Sequence, residues 1–159
     1  MGCTSKEAFF SCSGLKSLTL PDSVTRIEDS AFQLCTNLKT LELPDSVTFI
    51  GELAFYLCAS LTSIKLPSNL ETISNRAFEV CGGLTSIEIP SSVTSIGKGA
   101  FTHCSNLESV TFEDSNDWYA TENEDFTNET QIDVTNPESN AINLAKIDGL
   151  WQKKFLYKK

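Results

Sequence analysis

The 159 residues contain one histidine, one methionine and no long apolar run. Nothing approaches the roughly 18 consecutive apolar residues that a membrane-spanning helix needs, so membrane insertion is not expected. Basic residues are also scarce: twelve Lys and Arg stand against 21 Asp and Glu, for a net charge of -9. A surface of that sign repels phosphate, and nucleic acid is not an expected partner. The chemical signatures GxGxxG, GxxxxGK[ST], HExxH and GxSxG are all missing, which removes the usual phosphate-cradling, zinc-protease and serine-hydrolase readings. The opening MGCTSKEAFF lacks the positive-then-apolar pattern of an export signal.

What the chain does contain is a period. Cys12, Cys35, Cys58, Cys81 and Cys104 lie 23 residues apart, and other columns keep step with them. Ala-Phe precedes each cysteine at 8–9, 31–32, 54–55, 77–78 and 100–101, and a leucine follows at 15, 38, 61, 84 and 107. Further aliphatic positions end at a proline in four units (21, 44, 67 and 90), after which Val24, Val47, Leu70 and Val93 lead to Ile27, Ile50, Ile73 and Ile96. The unit reads AFxxCxxLxx[LI]x[LI]PxxVxxI. Residues 8–112 are therefore a tandem array, a pattern that forms stacked coils sharing one core.

Within Leu38 to Leu43, strand alternation turns Leu41 and Leu43 inward and Thr40 and Glu42 outward. Proline fixes φ and lacks an N–H, so it should end the strand at the same corner of each coil. The Val-x-x-Ile segment predicts a second extended stretch on the back, and Ala-Phe-x-x-Cys predicts one helical or 3₁₀ turn. With coils about 4.8 Å apart, the array should span on the order of 25 Å.

These residues resemble the BspA-like, treponemal-type leucine-rich repeats of bacterial surface proteins. The common leucine-rich pattern would place Asn or Cys where this chain has Ser23, Ser46 and Ser92, and only Asn69 keeps the usual asparagine, which favours the BspA-like subclass. The resemblance implies an α/β leucine-rich-repeat solenoid of about five 23-residue, right-handed parallel coils with a C-terminal capping segment. We divide the chain into an array over 1–112 and a cap over 113–159. The array begins in mid-repeat, with Thr4 in the isoleucine column, so this is expected to be the C-terminal piece of a longer exported protein whose signal lies upstream. An open N-terminal edge could pair with a second copy, giving an edge-to-edge homodimer.

After Phe112 the composition turns acidic, with no Lys or Arg through residue 138. Trp118-Tyr119 and Ile132-Asp133-Val134 read as short extended pieces that continue the sheet. Asn136-Pro137-Glu138 reads as a helix start, with Asn as cap and Pro in the first turn. Ala141, Ile142, Leu144 and Ala145 would give that helix its apolar side, followed by Trp151, Phe155 and Tyr157.

The candidate chemistry is weak. Side chains of a cysteine ladder project in parallel, neither paired for disulfides nor converging on a metal, so the thiols are expected to pack as small hydrophobes. Cys3 stands outside the ladder. His103 is expected half-buried beside the cap, and a Cys104–His103 nucleophile pair lacks any orienting group. Asp114-Ser115-Asn116-Asp117 begins like a calcium loop but meets Trp118 where the loop continues. Asn128-Glu129-Thr130 fits a glycosylation sequon. Neither an enzyme, a cofactor nor a metal is expected.

The displayed strand face remains. Its outward columns include Thr40, Ser63 and Ser86, and Glu42, Lys65 and Glu88, whose alternating charges should support strand register by about 0.2–1 kcal/mol per pair. Phe49 and Tyr56 are apolar exceptions away from that face. These eight residues are the candidate binding positions. The resemblance implies adhesion to a host or neighbouring-cell protein, or to a glycan; a spacer presenting another domain is the alternative.

Overall fold

A computed structural model describes residues 4–115, 118–121, 130–131, 133–146 and 150–153. The elements are β1 (Ser17–Thr19), β2 (Arg26–Ile27), β3 (Thr40–Glu42), β4 (Phe49–Ile50), β5 (Thr72–Ile73), β6 (Ser86–Ile89), β7 (Ser95–Ile96), β8 (Ser109–Phe112), β9 (Trp118–Thr121), β10 (Thr130–Gln131), α1 (Pro137–Lys146) and β11 (Leu150–Lys153). Residues 23 apart pair in parallel. Ser17 lies opposite Thr40 on the front, and Ile27, Ile50, Ile73 and Ile96 run in register down the back. The chain is a leucine-rich-repeat solenoid with a C-terminal cap helix.

Proline turns the corner between front and back. The carbonyls of Pro21, Pro44, Pro67 and Pro90 each accept the N–H three residues on, at 3.0 Å, closing a tight turn that carries the chain to the back strand.

The Ala-Phe-x-x-Cys segment differs from the expected helical turn. Within one coil, Ala31, Gln33 and Cys35 donate to carbonyls three residues earlier. The intervening Ser30, Phe32 and Leu34 donate instead to Glu52, Ala54 and Tyr56 of the next coil, each at 2.8 Å. Every second N–H is thus turned along the solenoid axis, an arrangement no helix allows. It needs two left-handed residues per coil: Ser30 and Leu34, Leu53 and Leu57, Arg76 and Val80, Gly99 and His103, all with φ between 54° and 65°. Only Gly99 adopts that conformation without the Cβ penalty.

The core is a spine. Phe9, Phe32, Phe55, Phe78 and Phe101 stack with ring centroids 5.0–5.3 Å apart and planes within 7°. Cys35, Cys58, Cys81 and Cys104 line up beside them, buried and free. Each of their thiols donates to the carbonyl of a phenylalanine 26 residues earlier, Cys58 to Phe32 at 3.1 Å for example. The column is therefore more than a small hydrophobe: each thiol gives a second hydrogen bond to a carbonyl that already accepts the N–H three residues on, as Phe32 does from Cys35 at 3.1 Å. Cys12, at the first coil, is exposed, because only one coil packs against it. Cys3 lies outside the described residues.

The cap closes the last coil on both sheets. Asn136 Oδ1 accepts the Ser139 N–H at 2.9 Å and starts α1, which packs against β8. Ala141 and Leu144 face inward, but Ile142 is 53% exposed. The inward position is filled instead by Asn140, fully buried, whose Nδ2 donates to Val110 and Val134 carbonyls at 3.1 and 2.8 Å. On the back, β11 pairs antiparallel with β7, Trp151 opposite Ile96, and β9 and β10 follow outward. Trp118-Tyr119 is thus extended as expected, yet it joins the sheet only through β11, a strand the sequence did not reveal. Val134 lies outside any strand, and Ile132, Phe155 and Tyr157 fall outside the described residues. Trp118 is fully buried, its indole N–H bonded to the Asp114 carbonyl at 3.0 Å and its ring edge-on to Phe112. Asn116-Asp117 and most of the sequon also lie outside the described residues.

Candidate interaction surface

Strand alternation places Thr40, Glu42, Ser63, Lys65, Ser86 and Glu88 on the front, all exposed, above a floor of buried Leu41, Ile64 and Ile87. These six candidates form one face. Phe49 and Tyr56 do not join it. Phe49 sits half-buried in β4 on the back, with the Arg26 guanidinium 3.8 Å from its ring centre; Arg26 in turn bonds Glu28 at 3.1 Å. Its face is therefore occupied by a cation–π contact rather than open to a partner. Tyr56 lies half-buried on the turn side, its carbonyl engaged by Leu34 N–H.

The charge alternation does not form ion pairs. Among the described residues the salt bridges are Arg26–Glu28 and Arg76–Glu79, and neither involves Glu42, Lys65 or Glu88. Exposed side chains on short strands gain too little from Coulomb attraction in water to hold one geometry. The charges thus remain available on the surface.

The front sheet is also discontinuous. β1 pairs with β3 and β6 pairs with β8, while residues 62–66 meet β3 only through the Glu42–Lys65 bridge. Beside this break lies a cleft of about 530 Å³, bordered by Asp45, Lys65, Glu88 and Glu113 over Ile64 and Ile87. A second depression of about 430 Å³ adds Asp22 and Glu42 and shares Asp45 and Lys65. The sequence reading missed Asp45 and Glu113; their signal was their place beside the proline corner. Asp45 Oδ1 accepts from Ser68 N–H at 3.4 Å and Glu113 Oε2 from Ser91 N–H at 2.9 Å, which fixes both carboxylates at the cleft wall.

Catalysis by Cys104 meets a geometric obstacle. Burial, the largest influence, pushes its thiol up to about 12, and the S–H is held by Phe78. A nucleophilic thiolate requires the opposite shift. His103 is exposed, not half-buried as expected, although Leu34, Leu57 and Val80 of the same column stay half-buried at the same left-handed φ.

A periodic hydrophobic spine with a polar strand face defines a repeat scaffold of the leucine-rich class, whose extended surface serves protein interaction. The family described as BspA type leucine rich repeat region matches residues 4–133 in six copies, and the chain belongs to it. Among solved structures it is similar to the leucine-rich repeat protein TpLRR of T. pallidum, at 42% identity and TM-score 0.66, over 67% of this chain and 50% of that one. A leucine-rich repeat protein from Bacteroides ovatus matches at 37% identity and TM-score 0.66, over 69% and 28%. A leucine-rich cell surface protein from Faecalibacterium prausnitzii matches at 32% identity and TM-score 0.68, over 83% and 35%. This chain spans half or less of each of these relatives. No curated protein matches it.

Proposed function

We propose that the chain is a non-enzymatic recognition module of a bacterial surface protein, displayed outside the cell, whose front sheet face engages a protein of a host or neighbouring cell. The observation that carries this reading is the division of labour along each coil. Large apolar columns are buried, whereas the front columns at 40, 42, 63, 65, 86 and 88 are all exposed, polar and free of ion pairs among the described residues. A rigid face of this kind supplies pre-organised contacts at low ordering cost. The cell-surface relative from Faecalibacterium prausnitzii supports the location.

The test is capture of surface-exposed host matrix proteins by the immobilised chain, compared with a Glu42→Ala, Lys65→Ala, Glu88→Ala variant. Loss of capture by about tenfold or more, with unchanged thermal unfolding, supports the reading. Capture undiminished by the triple change overturns the front-face assignment, and no capture at all overturns the module reading and leaves the spacer role.

A further inference from the structure

The left-handed positions of the turn flank are filled by residues that adopt them at a cost. Glycine and asparagine take a positive φ readily, whereas leucine and valine set their Cβ against the following carbonyl. Even so, Leu34, Leu53, Leu57 and Val80 stand there at φ 63°, 57°, 60° and 60°. Such outliers persist where another interaction offsets them. Packing inside the coil is not the whole of that interaction: all four side chains remain half-buried, while Ala54, Phe55 and Cys58 beside them in the central coil are fully buried.

Stacking gathers the four into one patch. Leu34 N–H donates to the Tyr56 carbonyl at 2.8 Å, Leu57 N–H to Glu79 at 3.0 Å and Val80 N–H to Thr102 at 2.9 Å, so Leu34, Leu57 and Val80 lie one above another along the solenoid. Half-buried Tyr56 widens the patch in the central coil, and Phe10, 43% exposed, lengthens it on the first. Charge divides across it. Toward the N-terminus the flank carries Glu28, Asp29 and Glu52, beyond which Lys6 and Glu7 offset each other; toward the C-terminus it carries Lys98 and Arg76, the latter 3.8 Å from Glu79.

We infer that this flank is a dimer interface, covered by a second copy of the chain lying antiparallel across it. A two-fold interface uses the same patch on both subunits, so the patch must complement itself when reversed. One that is apolar at its centre and oppositely charged at its two ends does so. With the axis beside Leu57, Leu34 meets Val80 of the partner subunit, and the Glu28-Asp29 end meets the opposite Arg76 end. The net charge of -9 works against contact through the other faces, whereas contiguous apolar surface favours it here. The patch spans roughly 15 Å along the axis, which places the pair among small, reversible interfaces, with a Kd of about 10–100 µM. The front strand face lies on another side of the coil and stays open, so the pair presents two of them. The inference goes beyond the front-face reading and does not depend on it.

Sedimentation equilibrium of the whole chain from about 2 µM to about 500 µM reads the association. Leu57→Asn is the decisive variant, since asparagine suits a positive φ and removes the apolar side chain. It is expected to weaken the dimer about tenfold or more while leaving the melting temperature of the dilute monomer unchanged or higher. Arg76→Glu sets like charges across the interface and should also weaken it about tenfold. On dilution, amide shifts should move at Leu34, Leu57 and Val80 and stay in place at Thr40 and Glu42. A chain that remains monomeric at about 500 µM overturns the inference. So does a dimer indifferent to Leu57→Asn, which then forms elsewhere, at the open first coil for instance. A Leu57→Asn monomer that melts lower overturns it too, because the leucine would then serve only its own coils. Capture of a matrix protein by the front face is a separate readout that none of these results decides.

Discussion

Replacing Phe55 with alanine probes the spine at its midpoint. The ring is fully buried and stacked on both sides, 5.3 Å from Phe32 and 5.0 Å from Phe78. Burial of a phenylalanine contributes about 1.5–3 kcal/mol, each aromatic neighbour about 0.5–1.5 kcal/mol more, and the cavity left in a stacked core relaxes poorly. The expected loss is about 3–5 kcal/mol, in the range of buried Phe→Ala changes. Phe9 is only partly buried and has one stacking partner, Phe32. Its replacement should cost about 1–2 kcal/mol on the same reasoning. Urea unfolding followed by circular dichroism measures both, with a shared slope confirming that the same surface is exposed. A Phe9→Ala loss equal to or greater than that of Phe55→Ala would refute the argument, because the stack would then not be the element that couples neighbouring coils.

Other consequences concern pH, backbone and cap. Burial raises the thiols of Cys58 and Cys104 from the usual 9.0 to about 12, so the folded chain holds protons there that the unfolded chain has lost. Their contribution is complete below pH 9 and is lost as pH climbs toward 12, at about 1.4 kcal/mol per pH unit for each thiol; unfolding midpoints between pH 8 and 11 should fall less steeply in a Cys58→Ser, Cys104→Ser variant. Arg76→Gly removes the Cβ penalty at φ 54° and should raise stability by about 0.5–1 kcal/mol, while Gly99→Ala at φ 65° should lower it by at least about 1 kcal/mol; calorimetric melting of both separates the signs. Asn140→Ala leaves two buried carbonyls unpaired and should cost about 1–3 kcal/mol, with faster amide exchange in β8 than in β3.

The solenoid was legible because its determinants repeat. A single inward leucine proves little, but five cysteines at one interval, each preceded by Ala-Phe, leave stacked coils as the arrangement that buries them together. What escaped the sequence depends on backbone geometry. Serine, leucine, arginine and valine give no local sign of left-handed φ, so Ser30, Leu34, Arg76 and Val80 read as an ordinary helical turn. Asn140 broke the apolar pattern of α1 and so looked like a surface residue, whereas Ile142 looked like core; the carbonyls of Val110 and Val134, distant in sequence, reverse that. The strand face was legible by alternation, yet the break within it, where residues 62–66 meet β3 through a single bridge, was not, since the aliphatic and polar columns run through it unchanged.

Thiol accessibility in the native state tests the buried spine most directly. After brief iodoacetamide treatment without denaturant, peptide-resolved mass spectrometry should find Cys12 carboxamidomethylated and Cys35, Cys58, Cys81 and Cys104 unmodified until urea is added. Native-state labelling of Cys58 or Cys81 at the rate of Cys12 would contradict a continuous interior of stacked coils.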